Sequence, residues 1–194
     1  MDSLHFRKNI RAEFHDYSGG DYFVTICTRD KKHYFGEIHP TVGTHGSCVH
    51  SNALQNPGSC VHSNALQSPG SCVHDMVYSP IGKYCHEQLC SLSTHYPYAE
   101  VPLFVVMPNH IHAIIHIDDR RTHEPCVPTV RTALSVVIGG LKRAVTMYAR
   151  RNSINFAWQQ RFHDHIIRGT KDGNKIAEYI NNNVALWAND CYYD

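Results

Sequence analysis

Long apolar runs are missing from the sequence. No run approaches the roughly 18 consecutive apolar residues that span a bilayer, and the first residues, MDSLHFRKNIRAEF, lack the apolar core of a signal peptide. Both absences argue against a membrane protein and against a secreted one, so we expect a cytoplasmic protein. The 194 residues are 42% hydrophobic and 18% charged, which is enough to bury one sizeable core. We therefore expect a single domain over residues 1–194.

A strong net charge is also missing, but the charge that is present is unevenly distributed. The formal net charge is +1, which does not by itself indicate a nucleic-acid binder. Residues 131–175, however, contain nine Lys or Arg against two Asp, a local balance of +7. Such a block suits the neutralisation of phosphates. A solvated helix face with ordinary basic residues has the same composition and is the alternative.

Cysteine is not scarce, but its distribution does not indicate a disulfide framework. In a reducing cytosol the eight Cys are more often thiols or ligands. Three of them lie in a repeat, in which residues 46–57 recur almost unchanged as residues 58–69 and a third copy begins at residue 70. Each copy offers a Cys-x-His pair that could bind a metal. Near-identical copies favour instead a duplicated loop insertion at about 44–75.

The most informative stretch is residues 108–117, with the sequence PNHIHAIIHI. Alternate side chains of a β-strand share a face, so His110, His112 and His116 would lie on one face and a fully apolar set on the other. A His-x-His pair on a strand places two nitrogen ligands side by side, close enough to bind one metal ion. The alternative is a half-exposed strand that happens to be rich in histidine, in a chain with 16 His.

The periodicity of the remaining sequence predicts an α+β protein. Further strands are predicted at residues 21–28, 34–38, 101–107 and 162–168, and helices at residues 81–96, 129–151 and 171–183. A turn at Pro108 and Asn109 predicts an antiparallel hairpin. The resulting order fits a ferredoxin-like antiparallel sheet, βαββαβ, followed by an additional C-terminal helix. Gly139 and Gly140 cost the long helix about 1 kcal/mol each relative to Ala, which suggests close packing or a kink.

The last predicted helix places two polar side chains on one flank. Tyr179 and Asn183 are four residues apart and lie beside the apolar stripe of the helix. A phenol at this position could approach the histidine strand. The alternative is a tyrosine at the edge of the core that packs its ring and leaves its hydroxyl in water.

Four segments of the chain resemble the REP-associated tyrosine transposases, which belong to the single-tyrosine HUH endonuclease superfamily. In the order of that family, the segments are DYFVTICTRDKKHYFGEI (21–38), FVVMPNHIHAIIHI (104–117), WQQRFHDHIIR (158–168) and EYINNN (178–183). Four motifs in this order are quite specific.

The resemblance implies a metal-dependent endonuclease and strand transferase, a transposase, that acts on hairpin-containing single-stranded DNA through a 5′-phosphotyrosine intermediate. By position, Tyr179 corresponds to the nucleophile, His110 and His112 to the histidine pair, and Asn183 to the polar residue that completes the metal site. The expected cofactor is Mg²⁺ or Mn²⁺. The expected partner is single-stranded or hairpin DNA, bound by a monomer or homodimer at the bacterial nucleoid. We expect His116 to support a metal ligand or to contact the substrate.

The basic block would then follow the DNA backbone while aromatic residues stack on unpaired bases. The residues that we expect to bind DNA are Lys142, Arg143, Arg161, Arg168 and Lys175. Two other functions fit the sequence. One is a domesticated protein that binds hairpin DNA without cleaving it, and the other is a metal-dependent hydrolase that uses the histidine strand alone.

Overall fold

The computed structural model describes residues 19–41, 73–118 and 132–193. Its strands are β1 (Gly20–Cys27), β2 (Gly36–Thr41), β3 (Val73–Tyr78), β4 (Ala99–Val106), β5 (His110–Ile117) and β6 (His163–Ile166). Its α-helices are α1 (Pro80–Cys90), α2 (Leu92–His95), α3 (Ala133–Arg151) and α4 (Thr170–Asn182). Two short 3₁₀ helices cover Arg29–Lys31 and Trp187–Asn189.

The main sheet has four strands in the order β4-β5-β1-β6, and every neighbouring pair is antiparallel. With α1 between β1 and β4, and α3 between β5 and β6, this is the predicted ferredoxin-like arrangement. The predicted α+β fold class is therefore confirmed. The predicted hairpin is confirmed as well, because β4 and β5 pair across the turn that contains Pro108 and Asn109.

The apolar face of β5 forms the centre of the core, as its alternation predicts. Ile111, Ala113, Ile115 and Ile117 are fully buried, together with alternate residues of β1 and the inner faces of α1 and α3. Each fully buried isoleucine contributes about 1.5–3 kcal/mol through removal of apolar surface from water. Because the pleat alternates, this burial fixes the histidines on the opposite face of the sheet.

The helix boundaries follow local capping. Ser79 precedes α1 and its hydroxyl accepts a hydrogen bond from Gly82 N at 3.1 Å, with Pro80 at the first helical position. Thr132 caps α3 in the same way, through Ser135 N at 3.3 Å. The helix predicted at 81–96 is interrupted at Ser91, which separates α1 from α2.

Helix α4 lies on the histidine face of the sheet and carries Tyr179 across it. It begins after Gly169, whose φ of 81° lies in the left-handed region that favours glycine. Asp172 in its first turn accepts a hydrogen bond from Arg168 N at 3.0 Å and contacts His165 of β6 at 2.9 Å. The start of α4 is thereby fixed to the β6 edge of the sheet, and the helix packs against β4 at the other edge.

The segment between β1 and α1 differs from the prediction. Strand β3 was not predicted, and it pairs with β2 as a separate two-stranded sheet. The predicted loop insertion at about 44–75 lies outside the described residues except for residues 73–75, which belong to β3. Among the described helices, none has the length and apolar character needed to cross a membrane.

Candidate active site

His110 and His112 lie side by side on the polar face of β5 and are almost fully buried, with 0% and 2% of their surfaces exposed. Their ring centroids are 4.5 Å apart. The residues after α4 cover His110, because Trp187 and Tyr192 place their rings 5.9 Å and 4.5 Å from its centroid. The structure therefore brings the predicted pair together in a site that is closed on the His110 side.

Burial keeps both imidazoles neutral at physiological pH. Removal from water, together with a smaller contribution from the neighbouring His112, lowers the pKa of His110 to about 2. Burial also lowers the pKa of His112 to about 4, against an opposing contribution from Asp190. A neutral imidazole keeps a lone pair, which is the form that binds a metal.

Tyr179 of α4 reaches this pair. Its hydroxyl lies 3.1 Å from His112 Nε2, and Thr25 Oγ1 lies 2.9 Å from Nδ1 of the same ring. Tyr179 is nevertheless 42% exposed, so part of its side chain faces solvent. Phe23 of β1 stacks on His112 at 5.3 Å and meets Tyr179 edge-on at 6.2 Å, which holds both rings in place.

The surroundings of Tyr179 oppose ionisation of its phenol. Burial, together with the negative charge of Asp190, raises the pKa of Tyr179 to about 12. A nucleophilic role therefore requires a cation nearby to stabilise the phenolate.

Asn183 and Asp190 complete the polar cluster. Asn183 follows the last turn of α4, is 2% exposed, and donates from Nδ2 to Asp190 Oδ2 at 3.1 Å. Asp190 Oδ2 also lies 3.9 Å from His110 Nε2. Each of three residues, His110, His112 and Asp190, offers one ligand atom. These atoms lie within 4.8 Å of one another, so the group could hold a metal ion. Asp190 was not predicted, since it lies outside any periodic element.

Two orphaned polar atoms show that the donor set suits a cation. His110 Nε2 and Asn183 Oδ1 are buried and have no hydrogen-bond partner among the described residues. Both carry lone pairs, and such unpaired buried groups are rare unless a ligand satisfies them. Imidazole nitrogens with amide and carboxylate oxygens suit a divalent ion such as Mg²⁺ or Mn²⁺.

The other predicted residues lie outside this cluster. His116 lies at the far end of β5, where its Nδ1 pairs with Asp21 Oδ1 at 2.7 Å. Lys142 on α3 donates to the backbone oxygens of Gln159 and Arg161 at 2.8 and 3.0 Å, so its ammonium group holds a loop. The exposed cations of the predicted DNA-binding set are Arg143, Arg161, Arg168 and Lys175.

The fold and this site define an α+β protein with a candidate metal centre beside an accessible tyrosine. The chain belongs to the same family as an uncharacterized protein of Haemophilus influenzae. The two are 30% identical over an alignment of 204 residues, which covers 98% of this chain and 94% of that protein.

No family model matches the chain. Among solved structures, the chain is similar to a REP-associated tyrosine transposase bound to a REP hairpin. That similarity has a TM-score of 0.48 and 17% sequence identity, over 91% of this chain and 72% of the other.

Proposed function

We propose that the protein is a metal-dependent endonuclease and strand transferase that acts on hairpin-containing single-stranded DNA through a 5′-phosphotyrosine intermediate. The observation that carries this proposal is the position of the Tyr179 hydroxyl, 3.1 Å from a candidate metal ligand, on a residue that is 42% exposed. A nucleophile must meet both conditions to attack a phosphodiester that is held by a cation.

In the proposed reaction, Tyr179 Oη attacks phosphorus and the bond from phosphorus to the 3′ oxygen breaks. The phenol loses its proton as the new bond forms, and the departing 3′ oxygen takes up a proton. The products are a 5′-phosphotyrosine and a free 3′-hydroxyl. Because the covalent link conserves the energy of the phosphodiester bond, another 3′-hydroxyl can reverse the step and join two strands.

His110, His112 and Asn183, together with Asp190, are the residues that would hold Mg²⁺ or Mn²⁺. When bound, the ion would stabilise the negative charge of the phosphate and of the phenolate. Phe23 orients the tyrosine against His112 through its ring contacts. Two imidazoles favour Mn²⁺ over Mg²⁺ in affinity.

Exposed cations on α4 and on either side of β6 support DNA as the substrate. Lys175 precedes Tyr179 by one helical turn and is exposed on the same flank of α4. Arg161 and Arg168 flank β6, from which α4 departs. Such a distribution suits a strand whose phosphates run along α4 toward the site.

Labelled single-stranded hairpin DNA, incubated with the protein and Mn²⁺ and resolved on a denaturing gel, tests the proposal. We expect a covalent protein–DNA adduct that chelator abolishes. Tyr179→Phe should bind the hairpin and form no adduct. Tyr193→Phe, which alters an exposed tyrosine of the C-terminal segment, is the matched control and should form the adduct normally. An adduct that persists in Tyr179→Phe would contradict the proposal.

A protein that binds hairpin DNA without cleaving it is the second candidate. The raised pKa of Tyr179, with burial as its main cause, favours this candidate because it disfavours the phenolate that attack on phosphorus requires. This function predicts hairpin binding that survives chelator and no adduct with any divalent ion. The same gel and a binding assay separate the two functions.

A further inference from the structure

Asn109 connects three segments that meet at the site. It lies in the turn between β4 and β5, immediately before His110, and is 1% exposed. Its Nδ2 donates to Lys31 O at 3.1 Å and to Tyr192 O at 2.8 Å. Its Oδ1 lies 2.8 Å from His110 Nδ1. One amide side chain thus holds the loop after β1, the C-terminal segment and the histidine.

The amide orientation determines where the His110 proton is. Both Nδ2 hydrogens face backbone carbonyls, so the amide cannot be flipped without the loss of two hydrogen bonds. Oδ1 can only accept, and His110 Nδ1 must therefore donate. A neutral ring with its proton on Nδ1 has a lone pair on Nε2, the buried atom that lacks a partner among the described residues.

The neighbouring histidine has no such constraint. His112 contacts two hydroxyls, those of Thr25 and Tyr179, and each hydroxyl can donate or accept. Both proton positions on His112 are therefore compatible with its contacts. Of His110 and His112, only His110 has its tautomer fixed by its hydrogen-bond partner.

The same amide also places Asp190. Tyr192, whose carbonyl accepts from Asn109, donates from its backbone N to Asp190 Oδ1 at 2.8 Å. This leaves Asp190 Oδ2 directed toward Asn183 and His110. Loss of the Asn109 amide would release the segment that carries this carboxylate.

We propose that Asn109 is a positioning residue that fixes the Nδ1–H tautomer of His110 and anchors the segment carrying Asp190, so that both present lone pairs to a divalent cation. The proposal rests on the proposed function for the presence of the metal centre. The tautomer itself does not depend on DNA cleavage.

Long-range ¹H–¹⁵N spectra of metal-free, ¹⁵N-histidine-labelled protein test the tautomer, and a Mn²⁺ titration tests the affinity. In the wild type we expect His110 to carry its proton on Nδ1. Asn109→Leu should move the proton at least partly to Nε2 and weaken Mn²⁺ binding by about 10–100-fold. Asn109→Asp keeps the acceptor and loses both donations, so it should restore the tautomer while Mn²⁺ binding stays weakened.

Thr28→Val is the matched control. Thr28 Oγ1 lies 2.9 Å from the backbone oxygen of Asn109 and 2.8 Å from that of Lys32, so this variant loosens the same turn and the loop after β1 without altering the amide. It should leave both the tautomer and the Mn²⁺ affinity unchanged. Should Asn109→Leu fail to fold, Asn109→Asp and Thr28→Val still give opposite expectations for Mn²⁺ affinity.

Three results would overturn the proposal. The first is a wild-type His110 that carries its proton on Nε2, and the second is a Mn²⁺ titration that leaves the His110 signals unchanged in position and width. The third is an Asn109→Asp variant with wild-type Mn²⁺ affinity. A wild type that forms no DNA adduct while these expectations hold would instead refute the proposed function and leave the role of Asn109 standing.

Discussion

At the scale of single residues, two buried polar atoms govern what the site can bind. His110 Nε2 and Asn183 Oδ1 have no partner among the described residues, and a buried polar atom without a partner costs about 1–3 kcal/mol. A cation that accepts both lone pairs removes this cost. Metal binding should therefore stabilise the folded protein as well as prepare it for chemistry.

Asn183→Leu tests this assignment. The substitution keeps a side chain of similar size and removes both the Oδ1 lone pair and the hydrogen bond to Asp190. We expect Mn²⁺ affinity, measured by titration calorimetry, to fall by at least about tenfold. Asn182→Leu, one position earlier and exposed at the end of α4, is the control. Equal affinities in the two variants would remove Asn183 from the ligand set.

The residues of the site were not equally predictable from the sequence. The shared face of His110 and His112 follows from strand alternation, and the shared flank of Tyr179 and Asn183 from helical spacing, because both patterns are local. Their expected roles as ligands and nucleophile do not follow from either pattern. Asp190 belongs to the cluster through a turn and a 3₁₀ helix, Trp187–Asn189, for which the sequence has no periodic signal. Contacts of this kind depend on the path of the chain after its last regular element.

At the scale of elements, strong hydrophobic periodicity was sufficient to predict a helix or a strand, and weak periodicity was not. The alternation of β5 and the apolar stripe of α3 lie as predicted, because each buries a continuous face. Strand β3 was missed since it begins inside the repeated sequence, and its inward-facing Met76 and Tyr78 are only partly buried. At Ser91 the backbone leaves the helical conformation, with φ −96° and ψ 9°. The helical spacing of the apolar residues does not reveal this break.

The paired glycines of α3 are an element-scale test. A Cβ on Gly139 would meet no atom within 4 Å, whereas a Cβ on Gly140 would collide with the Tyr96 hydroxyl. Gly139→Ala should therefore stabilise the protein against urea by up to about 1 kcal/mol through helix propensity. Gly140→Ala should gain less or lose stability, since Tyr96 must move. A larger gain at Gly140 than at Gly139 would contradict this packing.

At the scale of the whole molecule, the two buried histidines make stability depend on pH. Their pKa values are lowered to about 2 and about 4 in the folded state, while the unfolded chain titrates near the ordinary value of about 6.5. Below that pH the unfolded state binds more protons than the folded state. The stabilisation is complete above about pH 6.5 and is lost as the pH falls toward the folded values.

Urea unfolding in the presence of chelator checks this dependence. Between about pH 6.5 and pH 4, each buried histidine should lower the free energy of unfolding by up to about 1.4 kcal/mol per pH unit. His112→Gln should reduce the slope, and His116→Gln, at the exposed pair with Asp21, should not. A slope that is the same in all three proteins would show that the buried pair does not control acid stability.

The charge distribution gives a second test at this scale. Lys175 lies on α4 beside the tyrosine, whereas Lys83 is exposed on α1 across the sheet. Lys175→Gln should weaken binding of single-stranded hairpin DNA and reduce the salt slope of the logarithm of the binding constant by about 0.7. Lys83→Gln should change neither quantity. Equal effects of the two substitutions would indicate that α4 does not follow the DNA backbone.

The identity of the nucleophile is tested most directly by mass spectrometry of the covalent adduct. The wild-type protein is incubated with hairpin DNA and Mn²⁺, digested with nuclease and protease, and searched for a tyrosine that carries a 5′-nucleotide. We predict the modification on Tyr179 alone. A nucleotide on Tyr192, whose ring lies 4.5 Å from His110, or on any residue other than Tyr179 would contradict the account.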